Sequence, residues 1–150
     1  MDKEGIRMKF LQYLEEAKIG RVPKTQDDVY GQEVIMDLHN CNVEKFTNKS
    51  IEKFLIEICD MTKMKRAELH WWEDTKKQEI YDEKNHPYLA GISCIQFIQT
   101  SNITIHTIIP WKKLFINFFT CKTFDAEKVK EYIIKYFEGE VVTFHNLERK

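Results

Sequence analysis

The stretch from Gly91 to Cys121, GISCIQFIQTSNITIHTIIPWKKLFINFFTC, decides how this chain folds. Ile92, Cys94, Phe97, Ile103, Ile105, Ile108, Leu114, Ile116 and Phe118 sit there among β-branched and aromatic neighbours. Such residues suit a pleated, half-buried surface. Three strands fit the stretch, at about 91–99, 102–109 and 113–121.

Upstream, the highly charged segment Glu73 to His86 ends at Pro87 and reads as an exposed hairpin or long loop. Ala67 to Trp72 suits a strand, and so does the short apolar run Val34 to Leu38. A helix is expected over about 50–63, because Ile51, Phe54, Leu55, Ile58 and Cys59 recur at helical spacing. Residues 3–19 carry a second amphipathic pattern (Ile6, Phe10, Leu14, Ala17) that stops at Gly20, and polar Arg21 to Asp28, with Pro23, reads as a linker. Downstream, Asp125 is the expected N-cap of a helix carrying Val129, Tyr132, Ile133 and Tyr136 and ending at Gly139. A last strand is expected over 140–147. Helices interrupting an antiparallel run predict an α+β fold, a two-layer sandwich in which one sheet face packs on the helices. The other face is also apolar enough to call for a second sheet or subunit.

The length of 150 residues predicts a single domain, with residues 1–24 an added N-terminal helix and linker and 31–150 the core. Hydrophobic residues make up 43% and charged residues 31%, which excludes a disordered chain. The 23 Lys+Arg against 24 Asp+Glu leave a net charge of −1 and remove the electrostatic case for nucleic acid or an anionic membrane. No apolar run approaches the roughly 20 residues of a membrane helix. The start of the chain has no signal-peptide core, so a cytoplasmic location is expected. Cys41, Cys59, Cys94 and Cys121 have no metal-like CxxC spacing and are expected as reduced thiols. His39, His70 and His86 have no carboxylates at metal spacing, so no metal site is expected.

Four places could carry chemistry: Thr100-Ser101-Asn102, His106, Cys121 and Gly91-Ile92-Ser93. Each alone reads equally as structure. The trio suits a tight turn, the histidine a core or interface position, the thiol a small buried hydrophobe and the glycine a strand start. Trp111, Phe115, Phe118 and Phe119 read as core, or as the dimer surface of a small interaction module.

Taken together these residues resemble the S-adenosylmethionine decarboxylase family, in its short prokaryotic branch. The resemblance rests on Asp37-Leu38-His39-Asn40-Cys41-Asn42, Gly91-Ile92-Ser93, Ser101, Ile105-His106-Thr107 and Phe119-Thr120-Cys121. It covers roughly Gly31 to Gly139 and runs without a gap from Ser93 to Cys121. It implies an enzyme of polyamine metabolism, spermidine biosynthesis included, made as a zymogen. Its pyruvoyl cofactor would derive from Ser101 after self-cleavage between Thr100 and Ser101, with His106 and Ser93 handling protons during processing. Cys121 would reprotonate the substrate carbon. A small amino-acid-type substrate and a homodimer are implied with it. The residue types suit the task. Decarboxylation leaves electrons that a ketone can accept, and a thiol near its ordinary pKa of about 8.5 can return the proton. In a flat strand Ser101 and His106, five apart, point to opposite faces, so a turn or bulge at Ser101 is expected to realign them.

Substrate contacts match less well. The family's ribose-binding Glu falls on Pro110, and its adenine-stacking aromatic falls on Pro87, with Tyr88 one residue away as a substitute. Three readings follow: decarboxylation of S-adenosylmethionine through altered contacts, decarboxylation of arginine or ornithine, or a non-catalytic regulatory or binding subunit.

Overall fold

The computed structural model describes residues 24–72 and 86–150, together with Met8. Apart from Met8, which is helical, the expected helix at 3–19 lies outside the described residues, as does the charged segment up to residue 85. Six strands form one sheet: β1 (Gly31–His39), β2 (Arg66–Trp72), β3 (Ser93–Ile98), β4 (Ser101–Ile108), β5 (Lys113–Thr120) and β6 (Glu140–Arg149). Their spatial order is β2-β3-β4-β5-β1-β6, and every neighbouring pair is antiparallel. Two helices, α1 (Asn48–Met61) and α2 (Ala126–Phe137), complete the α+β sandwich.

Alternation along the strands sorts residues into two faces. Val34, Met36, Leu38, Ile103, Ile105, Leu114, Ile116 and Phe118 are fully or almost fully buried, in one core with Ile51, Phe54, Leu55 and Ile58 of α1 and Val129, Ile133 and Phe137 of α2. Each such side chain contributes roughly 1.5–3 kcal/mol by leaving water. Thr47 caps α1 by accepting from the Ser50 N–H, and Asp125 caps α2 by accepting from that of Lys128. Such a cap is worth about 1 kcal/mol. The turn that ends α2 falls on Glu138, at φ 54, one residue before the expected glycine. Gly139 answers a packing need instead, since a Cβ there would lie 2.7 Å from the Cys41 sulfur.

The opposite face carries three cross-strand rows. Trp72, Ser93, His106, Phe115 and Asp37 form the first, and His70, Ile95, Thr104, Asn117 and Ile35 the second. Phe97, Asn102, Phe119 and Glu33 form the third. No described helix packs on this face, and Trp72, Ile95 and Phe97 are exposed on it.

β1 starts before its expected range, at Gly31, which pairs with Arg149 of β6 and leaves no room for a side chain against β5. A Cβ there would lie 1.8 Å from the Thr120 carbonyl oxygen. Among the described residues no helix is long and apolar enough to cross a membrane.

Candidate active site

β3 and β4 form a hairpin through Gln99 and Thr100, with Ile98 paired to Ser101. Two linking residues require a positive φ in the turn, and Thr100 supplies it at φ 61. A β-branched residue is poorly suited to that region, and such strain costs of order 1–3 kcal/mol. The strained residue is the one whose carbonyl precedes Ser101.

Ser101 is 8% exposed and lies on the helix-facing side of β4. Its Oγ accepts a hydrogen bond from the Cys121 N–H at 3.1 Å, because the end of β5 runs beside the start of β4. The hydroxyl proton of Ser101 therefore stays available for transfer. The Cys121 sulfur lies 2.9 Å from Thr100 Oγ1, and that same oxygen donates its proton to the Gln99 carbonyl at 2.7 Å. A threonine hydroxyl has one proton. With it committed to Gln99, the thiol is the donor to Thr100. Beside this cluster Gln99 Oε1 is buried without a hydrogen-bond partner among the described residues.

Ser93 and His106 lie elsewhere, opposite each other on β3 and β4 on the open face. Ser93 Oγ is 2.5 Å from His106 Nδ1. The His106 ring lies 6.1 Å from that of Phe115, and partial burial holds its pKa below the ordinary 6.5, so the neutral form prevails at neutral pH. With the proton on Nε2, the serine hydroxyl donates to Nδ1 and fixes the ring.

The expected realignment of Ser101 with His106 does not occur. β4 keeps a regular register from Ser101 to Ile108, without a bulge, so strict alternation leaves the two side chains on opposite faces. Five residues of strand separate them by roughly 17 Å. The chain thus holds two separate clusters, called half-sites below, Thr100–Ser101–Cys121 and Ser93–His106.

A cavity of about 390 Å³ opens beside the second half-site. Besides Ser93 and His106, its walls include His70, Trp72, Thr104, Phe115 and Asn117, with no carboxylate among the described lining residues. Sequence reasoning missed His70 and Trp72 as lining residues. Their signal was alternation on β2, which sets them opposite Ile95 and Ser93. Tyr88 does not line this cavity. It lies in a short turn, half exposed, with its ring 6.4 Å from that of Trp111.

The sequence model of the S-adenosylmethionine decarboxylase family matches residues 32–150. The chain belongs to that family. Members similar to it include the S-adenosylmethionine decarboxylase proenzyme of Clostridium botulinum, 34% identical over 104 residues, or 69% of this chain and 79% of that protein. The arginine decarboxylase proenzyme of Ignicoccus hospitalis is 24% identical over 132 residues, covering 87% of this chain and 84% of that protein. The fold is shared with the crystal structure of the adenosylmethionine decarboxylase of Aquifex aeolicus, at a TM-score of 0.62, 16% identity, and coverage of 81% of this chain and 92% of the other.

Proposed function

We propose that this S-adenosylmethionine decarboxylase family member cuts itself between Thr100 and Ser101 and then decarboxylates a small amino-acid-type substrate in the cytoplasm, as part of polyamine metabolism. The observation that carries the reading is a nucleophile seated beside a strained peptide. Ser101 Oγ is fixed by the Cys121 N–H, and the carbonyl before it belongs to left-handed Thr100. Attack of Oγ on that carbonyl forms an ester as the C–N bond breaks and the Ser101 nitrogen takes a proton. Loss of the Ser101 Cα proton then breaks the Cβ–Oγ bond, leaving both oxygens on Thr100 as a carboxylate. Water replaces the nitrogen, which departs as ammonia, and a pyruvoyl group remains at residue 101.

The buried start of β4, with the Cys121 thiol at hand, suits that group. When present it takes the substrate amine and accepts the electrons that carbon dioxide leaves behind. Cys121, a donor in the uncut chain, returns a proton to the substrate carbon. Neutral His106, steadied by Ser93, moves protons during the cut.

His106 and Ser101 sit on opposite faces of one regular strand, so the two half-sites of one site come from two copies of the chain. The apolar open face, with Ile95, Phe97 and Trp72 exposed, favours a homodimer that brings them together. Among the substrates of the named relatives, the cavity favours S-adenosylmethionine. Its aromatic walls suit a flat base and a sulfonium, whereas arginine's guanidinium would want a carboxylate that the described lining lacks.

Intact-mass measurement tests the cut. Two fragments meeting at Thr100/Ser101, the second beginning with a pyruvoyl group, are expected. A single uncut mass after days of incubation would overturn the reading and leave the non-catalytic subunit in its place. Carbon dioxide release from S-adenosylmethionine, arginine and ornithine then ranks the substrates.

A further inference from the structure

Thr100 is in direct contact with the group expected to supply the proton. Its Oγ1 lies 2.9 Å from the Cys121 sulfur and, with its own proton given to Gln99, accepts from the thiol. A second neighbour works the other way. Lys122, next in the chain, is only 3% exposed and its Nζ donates to the Lys63 carbonyl at 3.1 Å; burial lowers its pKa, and the neighbouring Cys121 opposes that in part. A buried cation beside a thiol favours the thiolate, which is useless as a proton donor.

We propose that Thr100 is a positioning residue for Cys121 whose action changes when the chain is cut: its hydroxyl holds the thiol proton beforehand, and the carboxylate that cleavage leaves on it afterwards offsets Lys122 and keeps the thiol protonated. The inference rests on the self-cleavage reading. Cleavage retains both oxygens of the broken peptide and its ester on Thr100, so a negative charge appears on a residue already touching the sulfur. A like charge within about 4–6 Å disfavours the thiolate by one pH unit or more. One event thus creates the electron acceptor and exchanges one hold on the thiol proton, the Thr100 hydroxyl, for another, the new carboxylate.

Thiolate absorbance in the ultraviolet, with the matching Cys121→Ser protein subtracted, tests this on the full-length chain while intact mass reports the cut independently. The cut protein is expected to form the Cys121 thiolate at least one pH unit higher than the uncut Ser101→Ala protein. Within the Ser101→Ala background, Thr100→Val should lower the midpoint by about half a unit to one unit, and Thr100→Ser should restore it. Lys122→Met should raise the midpoint of the uncut protein more than that of the cut protein. A cut protein whose midpoint equals or falls below that of Ser101→Ala overturns this inference and spares the cleavage reading. A chain that never cuts overturns both. An unchanged midpoint in Thr100→Val overturns the hydroxyl's part.

Discussion

The two half-sites of this protein differ in almost every physical respect. Thr100, Ser101 and Cys121 meet where β4 begins and β5 ends, with the serine and cysteine buried and the turn between them strained. Ser93 and His106 face each other on the open side of flat, regular strands, at the wall of a cavity. The first half-site has a nucleophile, an electrophile and a thiol but no base among its described contacts. The second has a base and a hydroxyl but no electrophile. On the proposed reading, the difference means that one copy of the chain holds complementary parts rather than a whole site.

Breaking the first half-site has the largest effect. Ser101→Ala should leave a single uncut mass and abolish carbon dioxide release, because no other group in the cluster can supply the carbonyl that the electrons need. Activity retained in this variant would place the chemistry elsewhere. Cys121→Ser should still cut but lose decarboxylation by about 10²–10⁴-fold, since a hydroxyl is a much weaker acid than a thiol. Fragment masses and single-turnover carbon dioxide release separate the two effects, and an unaffected rate would remove Cys121 from the chemistry.

Breaking the second half-site sharpens the contrast through pH. Because burial lowers the His106 pKa below 6.5, its neutral, proton-accepting form persists as pH falls through 6.5 and is lost only in more acidic solution. The cleavage rate should therefore hold near pH 6.5 and fall below it. In Ser93→Ala, with the ring no longer held at Nδ1, cleavage should slow several-fold at every pH. A rate falling already above pH 7 would contradict a neutral His106 as the base. The smallest effect belongs to the turn. Thr100→Gly relieves about 1 kcal/mol of left-handed strain and should slow cleavage about five-fold. Faster cleavage would mean that the strain opposes the reaction.

Much of this contrast was legible in residues, because it rests on local periods. The β-branched and aromatic residues from Ile92 to Phe118 located all three central strands to within two residues, and the spacing of Ile51, Phe54, Leu55 and Ile58 located α1. Alternation also set Ser101 and His106 on opposite faces; the expected realignment failed because β4 carries no bulge, which only the register reveals. Contacts between distant segments left no local trace. Glu33 pairs with Arg149 across β1 and β6, and the Thr100 hydroxyl finds Cys121 because β4 and β5 lie side by side. Neither can be read from spacing, since each depends on which strand lies beside which. Composition and spacing treat Cys121 like its three fellow cysteines, and only the family resemblance of Phe119-Thr120-Cys121 singles it out. Cys41, Cys59 and Cys94 have pKa values pushed up by burial to about 11 or 12. Cys121 has the Thr100 hydroxyl 2.9 Å from its sulfur.

The claim that two copies build one site is tested most directly by co-expressing Ser101→Ala and His106→Ala chains carrying different tags, then weighing each chain. Neither variant should cut alone. In the mixture the His106→Ala chain, which keeps Ser101, should be cut at Thr100/Ser101 by borrowing His106 from its partner, while the Ser101→Ala chain stays whole. A mixture in which mixed dimers form and both chains remain uncut, under conditions where the unmodified protein cuts, would contradict the shared site.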